Sequence, residues 1–455
     1  MNMRKKMYKR SCSFVSAFVA LGMFSQQVLA KTPADTLVMA WNLDGISTFD
    51  PAQINDSYSN EIILNVCSRL IDHAQNDATK MMPNLAKSWD VSGDHNTTVI
   101  TFHLRDDLTF NDGRPANAHD LVWSMKRVIQ LKMASAATFN EYGITEQTVD
   151  DALQAPDEKT VVMKFDKPYP AELILSNIAA NRAATLLDRE TIMKHEKDGD
   201  MGNRYLATHA ACAGPYELFR WNPGEAVILR ASSHYWGEAP KLKQILIRHV
   251  AESETQRLLL EKGDIDVARD LTPEALEQLK KTANIQVEKM LLPAMFYWGF
   301  NMTNPIFANE KVRLAMRYLI DYDSFGETVL KDIGIPRASF MPIGTLGALD
   351  EKEGNPFKLD IQKAKQLLIE AGYPDGFETN LASGNTPYGL LIAQSIFESD
   401  VEKRMKKYAD LQHEIMQTGP YAFLFQKYNV VAISPVIKKW SWNNMSDIFY
   451  NLIEK

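Results

Sequence analysis

Phe296-Tyr297-Trp298-Gly299-Phe300 places four aromatic rings in five residues. In an extended strand, alternation sends Phe296, Trp298 and Phe300 to one face and Tyr297 to the other. Such rings give a solute a large apolar contact with few rotors to freeze, which suits sequence-tolerant binding rather than bond-making. Core packing is the competing use of the same residues. Residues that break bonds do not assemble in this sequence. His195-Glu196 begins like a zinc-binding helix, but the position that needs the second histidine is Gly199. Nine scattered histidines and two cysteines outside the first thirty residues give no structural zinc spacing. There is no Gly-x-Ser-x-Gly elbow and no phosphate-cradling glycine loop. Asp106-Asp107 and Asp264 with Asp266 are carboxylate pairs that read as solvated turn and strand-end residues, not acid–base machinery. The expectation is a chain without catalytic residues, metal or cofactor.

The elements that must position the rings begin after residue 30. Arg4, Lys5, Lys6, Lys9 and Arg10 precede a short apolar stretch from Ser13 to Phe24, and Val28-Leu29-Ala30 offers a small-residue cleavage site. This reads as a secretory signal peptide over residues 1–30, cut after Ala30 and too short to span a bilayer. Its loss removes five cations and leaves 45 basic against 57 acidic residues, a net charge of −12. Nucleic acid and anionic membrane surfaces are therefore not expected partners. Cys12 leaves with the leader. Cys67 and Cys212 remain, and an oxidising compartment could join them. Two separate buried thiols are the alternative.

The mature chain is too long for one core. Leu37 to Asn42 predicts a first strand ending near Trp41, and Tyr58 to Leu70 a helix with Ile62, Ile63, Val66 and Leu70 on its apolar side. Thr98 to Leu104 alternates as a half-buried strand does. A second short strand is expected from Arg105 to Phe110, then a turn at Asn111-Asp112-Gly113. A helix follows, with Leu121, Val122 and Met125 on one face. Further strands are expected at Thr160 to Phe165, from Ala213-Gly214-Pro215-Tyr216 continued by Ala226 to Arg230, and at Gln244 to Val250.

Between Leu85 and Ser124 the order is Ala-x-x-Trp, an alternating strand, Leu-Arg, Phe-x-Asp-Gly-x-Pro and Ala-x-Asp-Leu-x-x-Ser. This run closely resembles the signature of the peptide/nickel family of solute-binding proteins that serve ABC importers. Gly214-Pro215-Tyr216, Tyr235-Trp236-Gly237 and the segment Lys262 to Asp266, expected as a strand, are similar to later landmarks of that family. So are Phe300-Asn301 with Pro305-Ile306-Phe307, the helix from Asn309 to Asp323, and the helix end at Ile369 to Phe377 capped through Gly372.

The resemblance implies an α/β fold of the periplasmic binding protein type, with two lobes joined by two crossing strands and an inserted α+β domain. Carried onto this chain, lobe I takes residues 31–55, 190–285 and 420–455, the insert takes 56–189, and lobe II takes 286–419. It implies a monomeric periplasmic component that binds a small solute between its lobes and passes it to an ABC permease in the inner membrane. Peptides are the first expectation for the solute. Heme, glutathione-like compounds and metal chelates are alternatives. Ligand-binding candidates on this reading are Trp41, Tyr297, Trp298, Thr386 and Tyr388. The last two stand where dipeptide-binding relatives carry an Arg-Pro-Tyr turn.

The sequence departs from the family near its end. Leu391-Ile392-Ala393-Gln394 resembles the start of a lobe II helix, yet Ile396 to Asp400 runs straight into a helix from Glu402 to Gln417 that belongs near the C-terminus. The intervening block is missing, so lobe II is truncated. Unpaired strand edges and uncovered apolar surface are expected there. Threonine in place of the turn's arginine also removes the bidentate partner of a ligand carboxylate. A truncated, non-binding paralogue is one rival reading, and an exported hydrolase is another.

Overall fold

A computed structural model describes residues 32–74, 77–345, 347–379, 400–443 and 447–455. The leader with its cleavage site, Thr386, Tyr388 and the helix start at Leu391 lie outside the described residues.

Thr36–Trp41 is buried at every position, as a strand covered on both faces must be. It runs parallel to Gln244–His249 on one side and to Val267–Arg269 on the other. Ala226–Ala231 and Tyr216–Asn222 continue the sheet antiparallel at one edge, and Tyr421–Ile433 and Gln286–Gly299 at the other. One face is covered by Ile62, Ile63, Val66 and Tyr450, and the opposite face by Leu260, Leu271, Leu276 and Leu279.

Tyr421–Ile433 and Gln286–Gly299 are 13 and 14 residues long. They pair from Gln286 with Ile433 as far as Leu291 with Tyr428, then lose register until Met295 meets Gln426, and end at Gly299 with Tyr421. Before the break, Val267–Arg269 of lobe I flanks the pair; beyond it, Gly334–Pro336 of lobe II takes that side. The break contains Pro293, which cannot donate to a ladder. Two strands thus leave one lobe and enter the other, with the backbone ladder interrupted between them, where Gln426 Nε2 donates to the Leu292 carbonyl at 2.9 Å.

The insert is a four-stranded antiparallel sheet, Ala86–Gly93, Thr98–Leu104, Thr160–Phe165 and Leu153–Asp157. Helix Ala118–Leu131 starts at a capping box formed by Asn117 and Asp120. It lays Leu121, Met125 and Val128 into the same core as Ile100, Phe102 and Met163.

Lobe II builds its core from Phe300, Phe307, Val312, Tyr322, Phe357 and Met416. Three buried arginines hold its loops through backbone carbonyls. Arg313 reaches Phe307 and Ala308 at 2.8 and 3.0 Å, and Arg317 reaches Tyr421 at 2.7 Å. Arg337 bonds the carbonyls of Asp350 and Leu349 at 2.7 and 2.8 Å. Burial lowers Arg317 and Arg337 to about 10, so both stay charged near neutral pH. Leu319, Leu359, Ile361, Ile369 and Val401 are exposed in lobe II, as are Met82, Val91 and Leu258 elsewhere.

Several expected elements differ; the helix expected from Asn309 to Asp323 ends at Tyr318, and a separate one starts at Tyr322 behind the Asp321 cap. Arg105 to Phe110 forms no strand; its segment makes one isolated bridge, Thr109 to Pro115, while Thr98–Leu104 pairs with the preceding strand Ala86–Gly93 and the distant Thr160–Phe165. Local alternation could not see those partners. The helix expected to reach Leu70 ends at Val66, because the chain turns at Cys67 and the Ser68 amide bonds the Ala213 carbonyl. Lys262 to Asp266 is a helix end, closed by Gly263 in the left-handed conformation (φ 78°), and the strand starts at Val267.

Candidate ligand site

In an open α/β sheet, ligands meet the carboxyl ends of the parallel strands. Here Trp41 closes one such strand, and Arg269 with Asp270 closes its neighbour. Asp270 holds φ at +54°, a conformation that aspartate tolerates better than most residues. Its carboxylate accepts the Trp41 indole N–H at 2.6 Å. The Trp41 ring sits between Tyr58, 4.8 Å away, and the Arg269 guanidinium, 4.3 Å away. Arg269 in turn grips Glu61 with two bonds of 2.8 and 3.0 Å, and the Tyr450 hydroxyl donates to Glu61 at 2.6 Å. From the crossing strand, Asn429 meets Arg269 at 3.3 Å and Lys427 stands 3.8 Å from Asp270. Burial, then the Asp270 carboxylate, pushes the Tyr58 hydroxyl up to about 12, so it stays a neutral donor.

The structure gathers Trp41 into this cluster, but the residue is 2% exposed. It backs the surface and does not line it; Tyr58, Asp270 and Lys427 reach solvent. Sequence reasoning passed over Tyr58, Arg269, Asp270 and Lys427. The available signal was a charged pair, Arg269-Asp270, directly after an apolar strand.

Tyr297 and Trp298 lie elsewhere, on the lobe II half of the crossing pair. Tyr297 stands edge-on to Tyr421 at 5.0 Å and is tilted against Phe423 at 5.7 Å. Phe296 stacks on Phe425 at 4.5 Å. Phe296 and Trp298 are 44% and 38% exposed. The expected single face of Phe296, Trp298 and Phe300 does not hold, because the strand ends at Gly299 and Phe300 turns into the lobe II core against Phe307. No ring contact joins the Trp41 group to the Tyr297 group among the described residues.

Two further contacts frame the site. Arg404 of helix Val401–Thr418 in lobe II meets Glu172 of the insert helix Ala171–Ala180 at 2.7 Å, with their side chains 1% and 52% exposed. The two bodies therefore touch outside the crossing strands. Cys67 and Cys212 are joined as a disulfide, Cα to Cα 5.1 Å, at the neck between the large-sheet core and the insert. Asp266 is not the solvated residue expected: it is buried, accepting from the Val38 amide at 2.8 Å and pairing with Lys455 at 2.9 Å. Asp106, by contrast, is exposed between Lys87 and Lys159.

Residues 80–400 match the model of a family described as bacterial extracellular solute-binding proteins, family 5 (middle). The chain belongs to this family. Its family 5 relatives include the "Probable D,D-dipeptide-binding periplasmic protein DdpA" of Escherichia coli strain K12, 28% identical over 344 residues. That match covers 74% of this chain and 64% of the relative. The glutathione-binding protein GsiB of the same strain is 28% identical over 373 residues, 81% of this chain and 68% of the relative. The chain thus spans about two thirds of the length of these curated relatives.

Among solved structures, the periplasmic binding protein DppA of Helicobacter pylori, in complex with the peptide STSA, is similar in fold. It has a TM-score of 0.76 at 22% identity, covering 92% of this chain and 98% of that one. The murein tripeptide binding protein MppA of Escherichia coli matches at 0.75 and 22% identity, covering 93% of this chain and 99% of that one. Its unliganded open form matches at only 0.65 and 21% identity, covering 93% and 98%.

Proposed function

We propose that this family 5 protein is the exported solute-binding component of an ABC importer, capturing a peptide or related small solute between its lobes for an inner-membrane permease. Residues 1–30 serve as the export signal on this reading, and the mature protein works in the periplasm. The observation that carries the proposal is the crossing pair Gln286–Gly299 and Tyr421–Ile433, interrupted at Pro293 beside the carboxyl ends of the lobe I strands. A two-strand hinge with polar and aromatic groups at its base lets a ligand touching both lobes favour the closed state by its differential affinity. Aromatic rings on the lobe II strand and the Trp41–Tyr58 wall suit a solute recognised in part by apolar contact. We place the insert within the disulfide loop, from about residue 68 to about residue 186, since Val66 and Leu187 belong to the large-sheet core and Leu70 and Leu186 to that of the insert.

A ligand that binds the folded state alone stabilises it by mass action, about 2.7 kcal/mol at a hundredfold excess over its dissociation constant. A saturating pool of short peptides is therefore expected to raise the melting temperature of the mature protein by several degrees, read by differential scanning calorimetry. The exposed Leu359, Ile361 and Ile369 of lobe II favour a second reading, a shortened paralogue that binds nothing. That reading predicts no shift with peptides, glutathione or heme, together with dye binding to apolar surface.

A further inference from the structure

We propose that Asp270 and Lys427 form the charged anchor of the ligand, taking respectively the ammonium and the carboxylate of a zwitterionic solute such as a short peptide. The inference rests on the solute-binding reading above and assigns two of its contacts.

Position is the first argument. Asp270 ends a lobe I strand at the carboxyl side of the sheet, while Lys427 lies on the crossing strand, opposite Gly334 of lobe II. The pair therefore stands at the base of the cleft, next to the interruption between Leu291 and Met295. A ligand held there touches the lobe and the hinge together.

Geometry is the second. Lys427 Nζ and Asp270 Oδ1 are 3.8 Å apart, with side chains 39% and 33% exposed. That is too long for a hydrogen bond, so neither group is saturated by the other. The ammonium carries three donors and the carboxylate about four acceptor sites. Trp41 engages Oδ2 at 2.6 Å, and the Tyr58 hydroxyl also bonds the carboxylate, whose remaining acceptor sites can take a ligand's ammonium. A zwitterion entering between the two charges exchanges one loose ion pair for two charge-assisted hydrogen bonds.

Preorganisation is the third. Asp270 is held in the left-handed region, φ +54°, with its carboxylate fixed by the Trp41 indole. Backbone of this kind persists where surrounding contacts over-determine it, and it clusters at ligand clamps. Nearby Arg269 is already neutralised by Glu61 in a two-bond pair, so Asp270 and Lys427 are the charges left for a guest. The Trp41 and Tyr58 rings back the anchor with a low-polarity wall, 4.8 Å between centroids.

The test uses the mature protein and three pools of the same dipeptides and tripeptides: free, N-acetylated, and C-amidated. Apparent affinity is read from the melting temperature against pool concentration. Asp270→Asn keeps an acceptor for Trp41; Lys427→Met keeps the aliphatic stem. Asp270→Asn is expected to weaken the free pool roughly 10- to 100-fold, the range for a hydrogen bond to a charged group, and to leave the acetylated pool as in the wild type. Lys427→Met is expected to weaken the free pool likewise and leave the amidated pool unchanged. If the wild type responds to the free pool and both variants, melting normally without ligand, respond identically, the anchor is wrong while solute binding stands. If no pool shifts the wild type, the solute-binding reading and the anchor fall together.

Discussion

Arg127→Met is expected to cost the protein about 3–5 kcal/mol, the penalty of leaving one partner of a buried ion pair uncompensated. Arg127 sits on the insert helix Ala118–Leu131, and Asp50 lies in the lobe I segment after the first strand. Both side chains are fully buried and meet in two bonds of 2.8 and 2.6 Å. Asn203 donates to the same carboxylate at 2.7 Å, and Arg127 Nε donates to the Met201 carbonyl at 2.8 Å. Three chain segments converge on this pair, so removing the guanidinium strands a buried carboxylate. Urea unfolding at neutral pH should show a lower midpoint with little change in slope. The double variant Asp50→Asn with Arg127→Met should recover part of the loss, since no net charge is then left buried. A single variant as stable as the wild type would mean that the insert is not anchored here.

Opening the disulfide is expected to produce the other large loss. Cys67 and Cys212 are 145 residues apart in sequence, and a closed loop of that size restricts the unfolded chain by up to about 5 kcal/mol in the chain-entropy account. Denatured-state structure reduces the figure, so Cys67→Ser with Cys212→Ser should lose about 3–5 kcal/mol. Because the loop encloses the whole insert, the loss should also appear as faster amide exchange on the return strand beginning at Tyr216. Reduction of the wild type with dithiothreitol should reproduce both effects. The segment is held without the bridge as well: the Ser68 amide bonds the Ala213 carbonyl, and a Cβ on Gly214 would stand 2.4 Å from the Val66 carbonyl oxygen. The double serine variant is therefore expected to fold with a loosened neck rather than to fail outright.

Much of the frame was legible in the sequence because it is written in local patterns. Leu37 to Asn42 predicted the central strand to within a residue of Thr36–Trp41, and the helix expected over Glu402 to Gln417 spans Val401–Thr418. Apolar periodicity and family landmarks carry that much. What failed was non-local. Nothing near Arg105 reports that Thr98–Leu104 finds its second partner in Thr160–Phe165, some sixty residues on. Asp266 reads as a solvated carboxylate until Lys455, at the other end of the chain, is brought to it. At the candidate site, aromatic density drew the reading to Tyr297 and Trp298, whereas the Asp270–Lys427 pair, assembled from a strand end and a crossing strand more than 150 residues apart, has no local signature. Arg313, Arg317 and Arg337 were equally unreadable, because their partners are backbone carbonyls that no side-chain pattern encodes.

The central claim is that two lobes close on a solute about the break between Leu291 and Met295. Small-angle X-ray scattering of the mature protein, with and without a saturating pool of short peptides, tests it most directly. A smaller radius of gyration with peptide, reached by Asp270→Asn only at roughly 10- to 100-fold higher peptide concentration, is the predicted result. Scattering curves that superimpose with and without every candidate solute would contradict it.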